Sequence, residues 1–147
     1  MSIPYTHQLK AFFKHRLYAW QLRFMEWCTL GPERCATRIV YDAFGNNGKS
    51  VMIEYMQRLG VAFEMPLFRQ RRDVFRCASQ IKNHQMYVVD MLRGTRKNNL
   101  TEFYSETAKL KNVTVFTNVI PNKTILKQGN WEVWKITPAK LLVKCEL

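Results

Sequence analysis

Six consecutive residues near the first third of the chain combine the groups that bind a phosphate ester. They are Gly45-Asn46-Asn47-Gly48-Lys49-Ser50. Glycines allow the backbone to turn with its N–H groups pointing inward at an anion. A lysine reaches the outer phosphates of a nucleotide, and a serine hydroxyl ligates Mg²⁺. The segment therefore predicts a nucleotide-binding loop, and the alternative is a plain glycine-rich turn.

The elements on both sides of this loop strengthen the prediction. The loop departs from the GxxxxGK(S/T) pattern because Ala43 stands at the first glycine position, and the shorter form is less selective. Ile39-Val40-Tyr41 predicts a strand before it, and a helix from about Lys49 to Leu59, ended by Gly60, is expected after it. The amino end of such a helix adds its own partial positive charge.

Two further polar residues close predicted strands. Asp90 follows four apolar residues in the strand Met86–Asp90, where a carboxylate would serve Mg²⁺. Asn118 ends the strand Val113–Thr117, where its amide would touch the γ-phosphate or the attacking water. The alternatives are an acid that caps an ordinary core strand and an asparagine that starts a turn before Pro121.

The remaining pattern alternates short apolar strands with helices. Residues 7–29 predict one amphipathic helix, which Gly31-Pro32 stops, and a helix is also expected over 99–109. A further helix is expected from Asp73 to Gln80. Strands are predicted at Val61–Met65 and, as the last strand, at Trp131–Ile136. This alternation predicts an α/β fold with a central, mainly parallel sheet.

Composition narrows the class of protein. The 147 residues suit one domain, and the net charge of +12 favours a polyanionic partner. The sequence contains no apolar run of about 18 residues and no signal-peptide pattern, so neither a membrane span nor secretion is expected. The four cysteines and three histidines lack zinc-like spacing, which predicts reduced thiols in a cytosolic or nuclear protein.

Taken together, these motifs resemble the superfamily 3 helicase domain of replication initiator (Rep) proteins from small circular single-stranded DNA viruses. The resemblance covers about residues 18–138. Besides the phosphate loop, the segments that carry it are Trp20-Gln21, Ile39-Val40-Tyr41-Asp42, Arg72-Asp73, Val88-Val89-Asp90-Met91-Leu92-Arg93 and Val115-Phe116-Thr117-Asn118 with Pro121. In that family these segments follow one another in the same order.

The resemblance implies a three-layer αβα P-loop ATPase fold, AAA+-like, over residues 37–147, preceded by a helical oligomerisation segment over residues 1–36. It implies ATP and Mg²⁺ as cofactors, with Lys49 on the β- and γ-phosphates, Ser50 and Asp90 at the metal, and Asn118 at the attacking water. Such proteins form rings, usually hexamers, that translocate on single-stranded DNA during rolling-circle replication. The expected location is the host nucleus, or otherwise the cytosol.

Two departures from the family pattern bear on catalysis. Where the family shows Asp-Arg before an aromatic residue, this chain has Gln128-Gly129-Asn130-Trp131, so the arginine that reaches a neighbouring ATP is absent there. Lys127 is a candidate substitute. The strand Met86–Asp90 ends in a single acid, followed by Met91. No nuclease motif is visible, since a His-apolar-His pair and a convincing Tyr-x-x-Lys nucleophile are both missing.

Basic residues supply candidates for contact with single-stranded DNA, with solvated surface charge as the alternative. The candidates are Arg69, Arg71, Arg72, Arg93, Arg96, Lys97, Lys109 and Lys111. The main rival to the helicase is a catalytically weak or inactive P-loop protein that acts as a basic nucleic-acid-binding module. Two further alternatives are a small-molecule P-loop kinase, which shares the loop but accounts for neither Asn118 nor the charge of +12, and an RNA helicase, whose phosphate loop typically has another sequence.

Overall fold

A computed structural model describes residues 17–29, 36–43, 48–65, 86–91, 100–110 and 112–146. Four helices and six strands fall within these ranges. In chain order they are α1 (Ala19–Thr29), β1 (Thr37–Tyr41), α2 (Lys49–Arg58), β2 (Ala62–Met65), β3 (Met86–Asp90), α3 (Leu100–Ala108), β4 (Val113–Thr117), α4 (Lys123–Gln128), β5 (Trp131–Ile136) and β6 (Leu142–Cys145).

The strands form one sheet in the order β2-β3-β4-β1-β5-β6. The strands β2, β3, β4, β1 and β5 are parallel to one another, whereas β6 runs antiparallel to β5. The prediction of a central, mainly parallel sheet is thus confirmed. The order is not that of the chain, because β4 lies between β1 and β3.

Helices cover both faces of the sheet, an arrangement compatible with an αβα layout. Alternate strand residues point to opposite faces. On one face, called here the α1–α2 face, Trp20 and Phe24 of α1 and Met52 of α2 pack on Val40 and Phe116. On the other, the α3–α4 face, the core includes Tyr104, Leu126, Ile39 and Val115. Each face therefore has its own apolar core.

The crossover connections place a crevice at the carboxyl ends of the strands. From β1 the chain passes through α2, on the α1–α2 face, to β2 at one edge of the sheet. From the adjacent β4 it passes through α4, on the α3–α4 face, to β5, which lies in the opposite direction along the sheet. In open α/β sheets, ligands bind outside the carboxyl ends at the point where neighbouring connections diverge in this way. Here that point lies between β1 and β4.

Where an element was predicted and its end is described, the bounds agree with the sequence-based expectations to within about two residues. The helix predicted over 7–29 is described from Ala19 onward, and residues 7–16 lie outside the described ranges, as does the helix expected from Asp73 to Gln80. Trp131–Ile136 is a strand, but its prediction as the last strand is wrong, because β6 follows it. The helix α4 was not predicted.

Both missed elements are short. The helix α4 has six residues and buries only Leu126, so no apolar period is visible in its sequence. Its real signal is the cap, since Asn122 Oδ1 accepts a hydrogen bond from Ile125 N at 3.0 Å. Strand β6 has four residues and lies at the sheet edge with Val143 exposed, so it lacks an apolar face. Within the described ranges, none of the helices combines the length and the hydrophobicity needed to span a bilayer.

Candidate nucleotide site at the carboxyl edge of the sheet

Backbone hydrogen bonds tie the ends of β1, β4 and β3 into one edge. The amide of Asp42, just after β1, donates to Thr117 O at 2.9 Å. The amide of Met91, just after β3, donates to Phe116 O at 2.9 Å. Since Asn118 follows Thr117 directly, the residues after all three strands meet at this edge. The structure thus places Asp90 and Asn118 at the same end of the sheet as the start of α2.

The helix α2 begins at this edge without a side-chain cap. Gly48 occupies the N-cap position with φ of 80° and ψ of 23°, a left-handed conformation that favours glycine. Its carbonyl accepts the first helical hydrogen bond, from Met52 N at 3.3 Å. Lys49 and Ser50 form the first turn. The loop residues Gly45, Asn46 and Asn47 lie outside the described residues.

A buried ion pair joins Lys49 to Asp90. Lys49 Nζ lies 3.0 Å from Asp90 Oδ1, and the two side chains are 11% and 1% exposed. Asp90 belongs to β3, which is separated from β1 by β4, a distance of roughly 10 Å at ordinary strand spacing. The pair forms because α2 leads from the end of β1 towards β2, and therefore crosses β4 and β3. Two residues that are 41 positions apart are brought together in this way.

A second carboxylate belongs to the same part of the sheet. Asp42 follows β1 directly and is buried, and alternation places it on the α1–α2 face with Val40. Asp90 lies on that face for the same reason, because Val88 two residues earlier packs there. Sequence reasoning singled out Asp90 but used Asp42 only as part of a family resemblance. The signal that could have found it was the same one, an acid directly after a run of apolar strand residues.

Asn118 lies at the carboxyl edge but is exposed. The chain bends there because the hydroxyl of Thr117 accepts from Val119 N and lies close to Val119 O, both at 3.1 Å. The backbone places Asn118 beside Asp42, since Tyr41 and Thr117 are paired in the sheet. Its amide is accordingly at the mouth of the site and not in its buried floor.

The site also includes a residue of α1. The side chain of Gln21 is buried, and its Nε2 donates to Gly48 O at 3.1 Å. Its Oε1 accepts from Tyr18 N at 2.8 Å. Because 27 residues separate Gln21 from Gly48, no local pattern predicts this contact. The neighbouring Trp20 is fully buried in the core of the α1–α2 face.

Of the predicted nucleic-acid contacts, only Lys109 is within the described residues. It follows α3 and precedes β4, so it lies at the amino edge of the sheet, opposite to Lys49, and its Nζ is 3.1 Å from Glu106 Oε1. Lys127, the candidate substitute for the missing arginine, lies in the last turn of α4, shortly before β5, and is exposed. The other candidates, Arg69, Arg71, Arg72, Arg93, Arg96, Lys97 and Lys111, lie outside the described residues.

A second cation–carboxylate pair lies further along the same face. Arg38 Nε is 3.7 Å from Glu132 Oε1, and the guanidinium lies 4.4 Å from the centre of the Trp27 ring. Burial lowers the pKa of Arg38, and the charge of Glu132 opposes that effect. The adjacent thiol of Cys28 is buried, and burial raises its pKa while Arg38 acts in the opposite direction. Cys28 and Cys145 are free thiols.

No family model matches this sequence, and no curated protein or solved structure is significantly similar to it. Among the side chains that the structure describes, there is no group of three or more His, Cys, Asp or Glu residues that could hold a metal ion. The chemistry of the site therefore depends on the side chains of Lys49, Ser50 and Asp90 and on the residues around them.

Proposed function

We propose that this chain is the ATP-hydrolysing module of a DNA helicase that translocates on single-stranded DNA, as in the viral replication initiators that its motifs resemble. One observation carries the proposal. The lysine at the uncapped amino end of α2 meets a buried aspartate at the tip of a nearby parallel strand, with a separation of 3.0 Å. A phosphate-binding helix and a metal-binding carboxylate have to converge in this way in a P-loop ATPase.

The start of α2 fits a triphosphate. Gly48 contributes no side chain that would cap the helix, so the amino end keeps its attraction for an external anion. The Lys49 ammonium adds a full positive charge at the same place. Lys49 would hold the β- and γ-phosphates, and the position of the site at the diverging connections of β1 and β4 supports a ligand there.

The residues present also fit Mg²⁺ bound together with a nucleotide. Mg²⁺ usually takes one or two protein oxygens and completes its shell with phosphates and water, so a three-carboxylate cluster is not required. Ser50 lies in the first turn of α2, and Asp90 supplies a buried carboxylate. When bound, the metal neutralises negative charge on the transferred phosphoryl group. Ser50 and Asp90 would hold it directly or through its waters.

The remaining residues would serve water attack and DNA binding. Asn118, exposed at the mouth of the site, would orient the water that attacks the γ-phosphorus. The excess of positive charge, +12, suits a polyanionic partner such as single-stranded DNA. By resemblance, the module would act as a ring, usually a hexamer, in the host nucleus.

One observation favours the alternative of a weakly active, basic nucleic-acid-binding module. Directly before Trp131, where the family carries its arginine, this chain has the uncharged and exposed Asn130. An arginine finger contributes on the order of 10³–10⁵ in rate where it is present. Slow hydrolysis is expected unless a neighbouring subunit supplies another cation.

The decisive experiment is Mg²⁺-dependent ATP turnover with and without single-stranded DNA. We expect turnover in the wild type that DNA stimulates and that Lys49→Ala abolishes. Arg58→Ala is the matched control, because Arg58 is a cation at the opposite end of the same helix and pairs with Glu54 on the surface. Turnover that survives Lys49→Ala would rule out the proposal. DNA binding that weakens steeply with salt, without any turnover, would favour the alternative module.

A further inference from the structure

We propose that Gln21 is a positioning residue for the nucleotide site, and that it acts from α1 by fixing the peptide between Gly48 and Lys49. The inference rests on the proposed function, since it concerns how the same site is prepared for a phosphate. It is carried by the two hydrogen bonds of a single buried amide, from Tyr18 N at 2.8 Å and to Gly48 O at 3.1 Å.

The amide of Gln21 is constrained at both of its ends. Gln21 is the third residue of α1, and its oxygen accepts the backbone N–H of the residue before the helix, as in one half of a capping box. Its nitrogen donates to Gly48 O. If the amide were rotated by 180°, its N–H group would face the N–H of Tyr18 and its oxygen would face the carbonyl oxygen of Gly48. The amide can therefore satisfy both partners in one orientation only.

This contact orients the first peptide of α2. Gly48 O accepts from Met52 N inside the helix and from Gln21 Nε2 outside it, so both of its lone pairs are used. In a trans peptide the N–H points opposite to the carbonyl. With Gly48 O held towards the helix and α1, the N–H of Lys49 points out of the amino end, where an anion would lie.

The same contact gives Gly48 a second reason to be glycine. Besides its positive φ, a Cβ atom at this position would collide with Gln21 Nε2. A side chain at position 48 would therefore displace the flexible end of Gln21 from Gly48 O. Gly48 and Gln21 form one unit, in which neither residue can change without disturbing the other.

A rigid support lies behind Gln21. Trp20 and Phe24 are fully buried, and their rings meet Phe116 of β4 at centroid distances of 5.9 and 5.4 Å. Trp20 N also donates to Lys140 O at 3.0 Å. Because its neighbours are fixed by the core, Gln21 presents its amide from a well-packed helix. The position of α1 is thus transmitted to the phosphate loop.

The test compares two variants of Gln21 with a matched control. Gln21→Glu keeps the acceptor for Tyr18 N, but it sets a charged oxygen against Gly48 O. Gln21→Met keeps the length of the side chain and loses both hydrogen bonds without adding charge. Gln57→Glu is the control, because Gln57 lies near the opposite end of α2 and its Oε1 accepts from Glu64 N at 3.1 Å. That variant makes the same charge change away from the loop.

Affinity for a fluorescent ATP analogue with Mg²⁺ is measured first. We expect the dissociation constant to rise about tenfold in Gln21→Glu and about threefold in Gln21→Met, with kcat within about twofold of the wild type. Gln57→Glu should bind like the wild type. Unchanged affinity in both Gln21 variants, or an equal loss in Gln57→Glu, would overturn the inference. Should Gln21→Glu fail to fold, Gln21→Met decides.

Amide hydrogen exchange over residues 48–52, without nucleotide, separates this inference from the proposed function. Faster exchange there in both Gln21 variants, with the wild-type rate in Gln57→Glu, supports the contact. Unchanged exchange overturns it. If the wild type binds no nucleotide, the proposed function fails, and the exchange rates alone then decide whether Gln21 orders the start of α2.

Discussion

Two of the cation–carboxylate pairs on the α1–α2 face of the sheet are built in different ways. Arg38 and Glu132 are direct neighbours on β1 and β5, and the guanidinium stacks on Trp27. Lys49 and Asp90 belong to a helix start and to the tip of β3, and no strand pairing joins them. The first pair is part of the sheet itself, whereas the second bridges two elements at its carboxyl edge.

The two pairs also differ in how deeply the carboxylate is buried and in how many groups share its charge. Glu132 is 34% exposed and also receives the Trp134 indole at 3.1 Å, so several groups share its charge. Asp90 is 1% exposed, and the Lys49 ammonium lies 3.0 Å away at the uncapped end of α2. Under the proposed function, a phosphate takes the place of Asp90 beside Lys49, and a metal ion takes the place of Lys49 beside Asp90. Strand register and an aromatic ring hold the first pair in place.

The largest expected effect is a difference in ATP hydrolysis between variants of the two carboxylates, Asp90 and Glu132. We expect Asp90→Asn to lower Mg²⁺-dependent ATP hydrolysis at least about 100-fold, the size of loss seen when a charge-stabilising group is removed from an active site. Glu132→Gln should stay within about twofold. Phosphate release under saturating Mg²⁺ measures both. Equal losses in the two variants would erase the distinction between the pairs.

Double-mutant cycles compare how much each of the two ion pairs contributes to the free energy of unfolding. For Lys49→Met with Asp90→Asn, we expect a coupling free energy of about 2–3 kcal/mol, because removing one member leaves a buried charge without its partner in the pair. For Arg38→Met with Glu132→Gln, we expect under about 1 kcal/mol, since Glu132 is partly in water. Urea unfolding of the single and double variants gives both values. A larger coupling for the Arg38 pair would contradict the comparison.

Alkaline pH should affect the Arg38 region through Cys28. Burial raises the pKa of this thiol in the folded chain, with Arg38 opposing the shift, whereas in the unfolded chain the thiol has its ordinary pKa of about 8.5. The folded state is then favoured below pH 8.5 and loses free energy relative to the unfolded state as the pH rises above it. One proton released by the unfolded chain alone gives a slope of at most about 1.4 kcal/mol per pH unit.

Removal of the thiol tests this expectation. Urea unfolding at pH 8, 9 and 10 should show a shallower loss of stability in Cys28→Ala than in the wild type. Cys145→Ala is the matched control, because Cys145 is only partly buried on the edge strand β6. An equally steep loss in Cys28→Ala and in the wild type would show that other groups govern the alkaline range.

Salt should have the smallest effect and should again distinguish the pairs. Between 0.05 and 0.5 M NaCl, the Arg38–Glu132 coupling should fall by a few tenths of a kcal/mol, because ions reach the partly exposed carboxylate of Glu132. The buried Lys49–Asp90 coupling should stay nearly constant. Repeating the double-mutant cycles at both salt concentrations measures this. A steep salt dependence of the Lys49 pair would mean that it is open to water.

Sequence patterns predicted the elements that have a clear apolar period or an apolar run. The strands Met86–Asp90 and Val113–Thr117 have the predicted bounds, and α2 ends one residue earlier than expected. The short elements α4 and β6 escaped, because six and four residues with few buried side chains carry no period. The contact of Gln21 with Gly48 escaped for a different reason, since it depends on how two distant helices pack.

By itself, the sequence determined the local chemistry of this protein, namely a glycine, a lysine and a hydroxyl at a helix start and polar residues at two strand ends. Those features depend on neighbours within a few residues, and local patterns carry them. Only the tertiary structure decided that β4 lies between β1 and β3, that Lys49 reaches Asp90, and that Gln21 of α1 donates a hydrogen bond to Gly48 O. Strand order and helix packing follow from the simultaneous burial of two apolar cores. Each core combines residues from many elements, so the sequence of a single segment does not determine either of them.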